Sequence, residues 1–333
     1  TLKILDTLYC HQGHQYEFFK LPYQFYLCQS NQPNRVPDWG AGRPKRDNVV
    51  INSLSKISSE VLRNRIEFDV VIHRVSSKPY FYRRFIGKNT KVIAVAQTTD
   101  LYKVPKFVSD IVWNSSVAMD KNSSRSLNFS NHYIPHGFSP DEFRPLNIDR
   151  TKDVMIVAND FLERYKFLNY KLWHDMSKDL NNFKFEIWGH QKAYSQKYIK
   201  RYREAIGALR ISDEDIDKKI RMSNNIESLV RIFNSYKVYF NTTSHSALPR
   251  GRAEAMMCGT PLVSTNNYDI GNFLKNKEDC ILSNDFNELK RGISDIMNDK
   301  DCREYYSNAA RNAAVKHFGI EKYLERWKKV IEK

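Results

Sequence analysis

Short apolar runs alternate with helical segments along almost the whole chain, and this alternation constrains the fold more than any other feature. Runs such as FDVVIHRV and DVMIVAND are nearly continuous stretches of Val and Ile, which is typical of parallel strands buried on both faces. Helical patterns such as ESLVRIFNS and FNELKRGISDIMND lie between such runs. The sequence therefore predicts an α/β protein built from doubly wound parallel sheets.

A proline-rich segment near the middle of the chain predicts a domain boundary. The stretch HYIPHGFSPDEFRPLNIDRTKD combines three prolines with several charges between two strand-like runs. We place an N-terminal Rossmann-like domain at residues 1–148 and a C-terminal one at 149–318. The last segment, about 319–333, is an amphipathic helix that we expect to pack back on the first domain. Open sheets of this class bind ligands outside the carboxyl ends of their strands.

Composition excludes several classes of protein. The 333 residues are 41% hydrophobic and 13% aromatic, which is enough to build folded cores. No run of about 18 apolar residues appears, so no membrane-spanning helix is expected. The five cysteines are scattered without C-x-x-C spacing, which argues against a disulfide framework or a zinc site. We expect a cytoplasmic protein. A peripheral position at the inner membrane surface is one alternative, and the host cytoplasm is another if the protein is encoded by a phage.

The excess of positive charge suggests a polyanionic partner. Lys and Arg number 53 against 38 acidic residues, a formal net charge of +15. A basic surface of this size favours nucleic acid, an anionic membrane or a phosphorylated donor. General solubility is the alternative explanation.

Two motifs give the sequence a specific resemblance. YIPHGFSPDEFRP is followed about a hundred residues later by LPRGRAEAMMCGTPLVST, and together they resemble the GT-B glycosyltransferases, particularly the retaining glycosyltransferase family 4. The resemblance implies two Rossmann-like domains facing a central cleft and a nucleotide-sugar donor, with a UDP-sugar expected. It also implies a hexosyl- or pentosyltransferase that needs neither a cofactor nor a metal, and front-face attack without an enzymic nucleophile.

The second motif supplies candidate donor-binding residues. A helix beginning near Pro249 would present free backbone N–H groups and a positive dipole end to a diphosphate. Arg250, Gly251 and Arg252 open this helix, and a guanidinium there can bind phosphate. Glu254 lies one turn in, where the resemblance implies that it binds the ribose of the donor. The alternative is that Glu254 only complements the helix dipole.

One position departs from the family pattern. The family often carries a second glutamate eight positions earlier, where this chain has Ser246, so backbone amides of residues 246–250 are expected to contact the donor sugar instead. Arg164 and Lys166 are candidates to neutralise the leaving phosphate, although a solvated helix face is an equal alternative. Gly189 follows a predicted strand and would allow close backbone approach to the nucleotide.

Polar residues at strand ends in the first domain give further candidates. Gly13 matches a flexible glycine-containing loop of the family above the donor phosphates. His11 and His14 flank it and are candidate acceptor contacts, while their spacing without Cys or acidic neighbours is weak as a metal site. His73 and Asp100 end two further strands and are catalytic candidates. Asp100 would act as the base on the acceptor hydroxyl, with a helix cap as the alternative.

Basic residues interleaved with aromatics give the candidates for the acceptor surface. Lys78, Arg83 and Arg84 interleave with aromatics in KPYFYRRFIGK, and residues 191–204 repeat the pattern with three tyrosines. Such surfaces suit an anionic membrane carrying a glycolipid, or a nucleic-acid strand. We favour an envelope glycan or glycolipid as acceptor. Hydroxymethylated DNA bases, as modified by phage enzymes, and a non-catalytic module that binds nucleotide-sugar or polyanion remain alternatives.

Overall fold

The protein divides into two units, each built on one parallel sheet. Unit 1 comprises residues 1–137 and 320–333, and unit 2 comprises residues 138–319, so the division falls inside the proline-rich segment. The structure, a computed structural model, describes residues 1–9, 12–39, 42–64, 66–74, 79–96, 104–159, 161, 164–189, 220–221, 225–246 and 250–333.

Unit 1 contains a parallel sheet in the order β3-β2-β1-β4-β5-β6-β7. Strand order reverses between β1 and β4, which is the topological switch point of a Rossmann-like sheet. Its strands are β1 (Lys3–Asp6), β2 (Gln24–Leu27), β3 (Val49–Ile51), β4 (Val70–Arg74), β5 (Lys91–Ala96), β6 (Asp110–Trp113) and β7 (Ser130–Tyr133). The described helices are α1 (Gln12–Phe18), α2 (Leu54–Asn64), α3 (Pro79–Tyr82) and α4 (Ser116–Lys121), with 3₁₀ turns at Arg83–Phe85 and Ser123–Arg125.

The last helix of the chain completes the core of unit 1. Trp327 is fully buried, and its ring lies 4.6 Å from that of Phe18 in an edge-on contact. The hydroxyl of Tyr23 donates a hydrogen bond of 2.5 Å to Glu332. A Cβ at Gly137 would lie 2.3 Å from the Cβ of Tyr323, so only glycine allows the chain to pass this close to the helix.

A buried ion pair occupies the switch point of unit 1. Asp6 ends β1 and Arg74 ends β4, and the guanidinium donates from Nε to Oδ1 at 3.0 Å and from Nη2 to Oδ2 at 2.6 Å. The two side chains are at most 2% exposed. Gln15 donates a further hydrogen bond to Asp6 Oδ2 at 2.9 Å. Protein side chains therefore fill the place where a sheet of this order usually binds a ligand.

Unit 2 repeats the strand order with a separate core. Its described strands form a parallel sheet in the order β10-β9-β8-β11-β12-β13, with the switch point between β8 and β11. They are β8 (Lys152–Val157), β9 (Phe185–Trp188), β10 (Ile220–Arg221), β11 (Tyr236–Asn241), β12 (Leu262–Ser264) and β13 (Ile281–Leu282). This architecture confirms the predicted α/β class with two doubly wound parallel sheets.

Helices cover the sheet of unit 2 and supply most of its core. Leu289, Ile293 and Ile296 recur at helical spacing on one helix and are fully buried. The described helices of unit 2 are α5 (Tyr165–Leu168), α6 (Tyr170–Asp179), α7 (Ile226–Ser235), α8 (Arg250–Met257), α9 (Ile270–Phe273), α10 (Phe286–Asn298) and α11 (Lys300–Phe318). The last helix of the chain, α12 (Ile320–Ile331), belongs to unit 1. Among the described residues, no helix is both long and apolar enough to cross a membrane.

The ion pair at the switch point of unit 1 predicts a large loss of stability on neutralisation. Asp6→Asn keeps the shape of the side chain but leaves the Arg74 guanidinium buried without its counter-charge. We expect the free energy of unfolding, measured by urea denaturation, to fall by about 3–5 kcal/mol. The matched control is Asp175→Asn, which removes an exposed pair with Lys171 and should cost less than about 1 kcal/mol. Equal losses in the two variants would contradict the assignment.

Candidate functional site

The helix α8 lies at the centre of the candidate site, and a glycine in a left-handed conformation ends it. Gly259 adopts a left-handed conformation with φ of 68°. The N–H of Gly259 donates to the carbonyl of Met256 at 2.9 Å, and that of Thr260 donates to the carbonyl of Ala255 at 3.0 Å. These two bonds form a Schellman motif, which satisfies the last carbonyls and turns the chain into β12.

The two ends of α8 differ strongly in charge. At its carboxyl end, Arg150 donates from Nη2 to the carbonyl of Cys258 at 2.9 Å, and Arg311 donates to the carbonyl of Met257. Burial lowers the pKa of Arg150 to about 10, so it still carries its charge at neutral pH. The first turn of α8 contains no acidic residue. Since cations compensate the negative end of the dipole and the first turn carries no acidic residue, the beginning of α8 is suited to an anion.

A close approach at Gly251 fixes where α8 begins. A Cβ at Gly251 would lie 2.3 Å from the hydroxyl oxygen of Tyr239 and 3.7 Å from the Cβ of Val157. Tyr239 lies on β11 and Val157 ends β8, so the first turn of α8 sits at the switch point of unit 2. Tyr239 is fully buried, which raises the pKa of its hydroxyl to about 12 and keeps it protonated. The predicted glycine is therefore needed for packing against this hydroxyl.

Glu254 is buried and held by the arginine one turn before it. Its Oε1 accepts a bond of 3.0 Å from Nη2 of Arg250, and the two side chains are 5% and 11% exposed. The guanidinium of Arg250 in turn lies 4.5 Å from the ring centroid of Phe138, a cation–π contact. A carboxylate this buried is positioned by its partner instead of moving freely in solvent. The structure thus brings Arg250 and Glu254 together.

Arg252 points into unit 2 and is fully buried. It donates from Nε to Asn241 at 3.0 Å and from Nη2 to the carbonyl of Thr243 at 3.3 Å and to the hydroxyl of Thr265 at 3.5 Å. Burial lowers its pKa to about 10, so it remains charged at neutral pH. The predicted direct contact of Arg252 with a donor does not fit this position, because the guanidinium instead joins the ends of β11 and β12.

The loop after β11 is bonded to the segment after β8. The hydroxyl of Thr242 donates to the carbonyl of Leu168 at 2.6 Å, and that of Ser244 donates to the carbonyl of Lys166 at 2.9 Å. Arg164 and the Lys166 side chain are exposed on this segment. The carbonyl of Ser246 accepts a bond of 3.2 Å from Nδ2 of Asn267. These bonds join the loop after β11 to the segment that carries Arg164 and Lys166, and they join Ser246 to Asn267.

Gly189 follows β9 and is required by the backbone beside it. Its φ is 155°, and a Cβ there would lie 2.3 Å from the carbonyl oxygen of Ala158. The N–H of Ala158 donates to the carbonyl of Trp188 at 2.7 Å. The close approach that the structure shows is thus between two protein segments, and the approach of a nucleotide to Gly189 stays a prediction.

The candidates of unit 1 are largely packed inside that unit. His14, on α1, is 2% exposed; its ring lies 4.8 Å from that of His136, and its Nδ1 lies 3.5 Å from Nη1 of Arg74. Gly13 precedes it on the same helix and is half-buried. The predicted acceptor contact of His14 is at odds with this burial.

His73 lies on β4 and is 3% exposed. Its Nδ1 shares a short hydrogen bond with the hydroxyl of Tyr82. Burial lowers the pKa of His73 from 6.5 to about 4, so the ring is neutral at pH 7 and a weak base. This environment favours a packing role over the predicted catalytic one.

The basic surface of unit 1 is exposed where the structure describes it. Arg83 and Arg84 lie on the 3₁₀ turn after α3, and both are exposed. Arg83 lies 6.0 Å from the ring centroid of Phe107, and Arg84 lies 5.0 Å from that of Phe85. His11, Lys78, Asp100 and the stretch 191–204 lie outside the described residues.

The sequence pattern does not indicate that four further residues belong to this site. Tyr239 and Phe138 look like ordinary core aromatics, and Arg150 looks like a linker charge. Asn267 sits in a polar loop, where asparagine is common. Only the fold brings these side chains next to α8 and the loop after β11. Gly251 is the one sequence signal for such a contact, because a glycine inside a helix can mark close packing. The sequence does not show that the packing partner is Tyr239.

Comparison with known proteins agrees with this architecture. A family model described as glycosyl transferase-like matches residues 169–329. A comparison with curated proteins finds no match.

Solved structures resemble the chain over its whole length. Anabaena Alr3699/HepE in complex with UDP and glucose has a TM-score of 0.71 at 12% identity, covering 100% of both chains. Sucrose-phosphate synthase from Thermosynechococcus elongatus has 0.68 at 11%, covering 100% of this chain and 98% of that one. A Rickettsia africae glycosyltransferase has 0.66 at 13%, with the same two coverages.

The fold is therefore that of the GT-B glycosyltransferases, as predicted. The family-model match supports the predicted glycosyltransferase class. Membership of family 4 remains a prediction.

The contact between Gly251 and Tyr239 predicts a specific pattern of stability. Gly251→Ala places a methyl group against the hydroxyl and should lower the free energy of unfolding by about 1–3 kcal/mol. Tyr239→Phe removes the hydroxyl, so the double variant should recover part of that loss. Thermal and urea unfolding of the four proteins form a double-mutant cycle. Strictly additive effects would show that the two residues do not touch.

Proposed function

We propose that the chain is a glycosyltransferase that transfers a sugar from a UDP-sugar to a hydroxyl acceptor. One observation carries the proposal: Glu254 is buried and held by Arg250 one turn inside a helix whose first turn lacks acidic residues, at the switch point of unit 2. Sheets of this order bind nucleotides at that point.

The donor is proposed to lie along the beginning of α8. Its free N–H groups and positive dipole end bind the diphosphate, and the Glu254 carboxylate accepts hydrogen bonds from the 2′ and 3′ hydroxyls of the ribose. Arg164 and Lys166, exposed after β8, add positive charge. The complexes of Anabaena Alr3699/HepE with UDP and with UDP-glucose support a uridine nucleotide as the donor.

Unit 2 is preferred over unit 1 for the nucleotide because the equivalent place in unit 1 is filled. There, Asp6 and Arg74 form a buried bidentate ion pair between β1 and β4. Displacing it would leave two buried charges without partners, which is costly. We therefore assign the donor to unit 2 and the acceptor to unit 1.

The transfer is proposed to retain the configuration of the anomeric carbon, as the resemblance to family 4 implies. The bond from that carbon to the β-phosphate oxygen breaks, the acceptor oxygen bonds to the carbon, and its proton passes to the departing diphosphate. Positive charge at the beginning of α8 stabilises the negative charge that develops on the phosphate. Because the helix end and the basic side chains supply this charge, we propose that no divalent cation is needed.

For the acceptor we propose an envelope glycan or glycolipid. Arg83 and Arg84 present exposed guanidinium groups on unit 1, beside Tyr80, which is 69% exposed. Guanidinium groups with an exposed aromatic suit an anionic interface that carries a lipid-linked glycan.

The role of Glu254 predicts a loss of discrimination between two nucleotides. By calorimetry, we expect the wild-type protein to bind UDP about tenfold or more tightly than 2′-deoxy-UDP, since a hydrogen bond to a charged group is worth about 1.5–3 kcal/mol. In Glu254→Gln the amide oxygen can still accept this bond but carries no charge, so the ratio of the two affinities should fall severalfold.

Glu186→Gln is the matched control for this experiment. Glu186 is a carboxylate of unit 2 that is 5% exposed, and its bond to Tyr236 at the start of β11 places it away from α8. This variant should keep the wild-type ratio. An unchanged ratio in folded Glu254→Gln, or no binding of UDP by the wild-type protein, would refute the proposed donor site.

A further inference from the structure

The loop after β12 holds a buried side-chain oxygen that has no hydrogen-bond partner. Nδ2 of Asn267 donates to the carbonyl of Ser246 at 3.2 Å. Since a carbonyl only accepts, this bond fixes which end of the amide is nitrogen. The other end, Oδ1, is buried and unpaired, although the residue as a whole is only half-buried. An unpaired buried acceptor costs free energy, and a donor group on a ligand removes that cost.

The backbone next to this oxygen is strained. Tyr268 has φ of 46°, a left-handed conformation that bulky residues rarely adopt. Strain of this kind persists only where the surroundings enforce it, and it clusters at ligand sites. Tyr268 is also half-buried, so the strained residue places an aromatic ring at the same loop.

Bonds on both sides hold the loop in place before any ligand arrives. The N–H of Asn266 donates to Asn284 at 3.0 Å, and the side chain of Asn284 donates back to the carbonyl of Asn266 at 2.9 Å. The buried guanidinium of Arg252 bonds both Thr243 and Thr265, which joins this loop to the loop after β11. The Asn267 amide is therefore preorganised, which favours a recognition role.

The order of groups in a nucleotide-sugar indicates which part meets Asn267. Ribose, diphosphate and sugar follow one another along the molecule. With the ribose at Glu254 and the diphosphate at the beginning of α8, the sugar extends past the helix start toward the preceding loop. Ser246 lies in that loop, and Asn267 is bonded to it.

We propose that Asn267 is a specificity-determining residue whose side-chain oxygen accepts a hydrogen bond from one hydroxyl of the donor sugar. This inference rests on the proposed function, because it presupposes that UDP binds at α8. This contact requires a hydroxyl or an amide N–H on the sugar. A substituent without such a hydrogen at that ring position would leave Oδ1 of Asn267 unpaired.

The test compares UDP with UDP-sugars by calorimetry. A panel of UDP-glucose, UDP-galactose and UDP-N-acetylglucosamine first identifies the sugar that the wild-type protein binds most tightly relative to UDP. Asn267→Ala should reduce that relative affinity about two- to tenfold, the value of one neutral hydrogen bond, while UDP affinity changes less than twofold. Asn266→Ala is the matched control, because the exposed neighbour keeps its backbone bonds to Asn284.

Deoxy analogues of the preferred UDP-sugar separate recognition from a structural effect. The wild-type protein should bind one of these analogues more weakly than the parent UDP-sugar, by the same factor that Asn267→Ala loses. Asn267→Ala itself should bind that analogue and the parent UDP-sugar with equal affinity. If UDP and UDP-sugar weaken together in Asn267→Ala, or if the relative affinity is unchanged, the inference is overturned. Normal UDP binding in that experiment leaves the proposed function intact, whereas a wild-type protein that binds no UDP would overturn both.

Discussion

The close packing of Gly251 against the hydroxyl of Tyr239 is the constraint on which the candidate site depends. Tyr239 lies on β11 beside the end of β8, so this contact sets the first turn of α8 at the switch point of unit 2. It places Glu254 one turn inside, where Arg250 holds it, and it directs Arg252 inward to join the ends of β11 and β12.

The two units share a strand order and differ in what occupies the switch point. In unit 1, Asp6 and Arg74 neutralise each other there and exclude solvent. In unit 2, the positive end of α8 occupies the same topological place, and two arginines satisfy the carbonyls of its opposite end. One fold can thus fill its switch point with an ion pair or place a helix N-terminus there, and the difference lies in a few side chains.

Much of the architecture could be predicted from periodicity, because long Val- and Ile-rich strands and amphipathic helices have clear patterns. The strands β2 and β10 were not predicted. β2 is a four-residue QFYL run close after a proline, and β10 has only two residues in the described part of the chain. Neither is long enough to show a period. Pairing with a neighbouring strand makes them part of a sheet, and the sequence carries no direct sign of that pairing.

The second motif forms a helix, as its pattern predicts, whereas several predicted site side chains point in other directions than expected. The helix start at Arg250 and the bond between the loop after β11 and the segment after β8 follow from strand ends meeting at one sheet edge. Arg252, His14 and His73 were expected near a ligand, but all three are buried. A polar side chain at a strand end can face either a ligand or the core. Its direction depends on hydrogen-bond partners that the local pattern does not reveal, such as Tyr82 for His73 and Thr265 for Arg252. Gly189 likewise serves backbone contact with Ala158.

The central claim is that the beginning of α8 in unit 2 binds the diphosphate of a UDP-sugar, and amide hydrogen exchange with and without saturating UDP tests it most directly. The first N–H groups of α8 have no partner within the helix, so bound phosphate should slow their exchange. We predict protection at residues 250–254 and in the loop at 242–246, with none at the ends of β1 and β4 in unit 1. Protection confined to unit 1, or unchanged exchange at the start of α8 under UDP saturation, would contradict the claim.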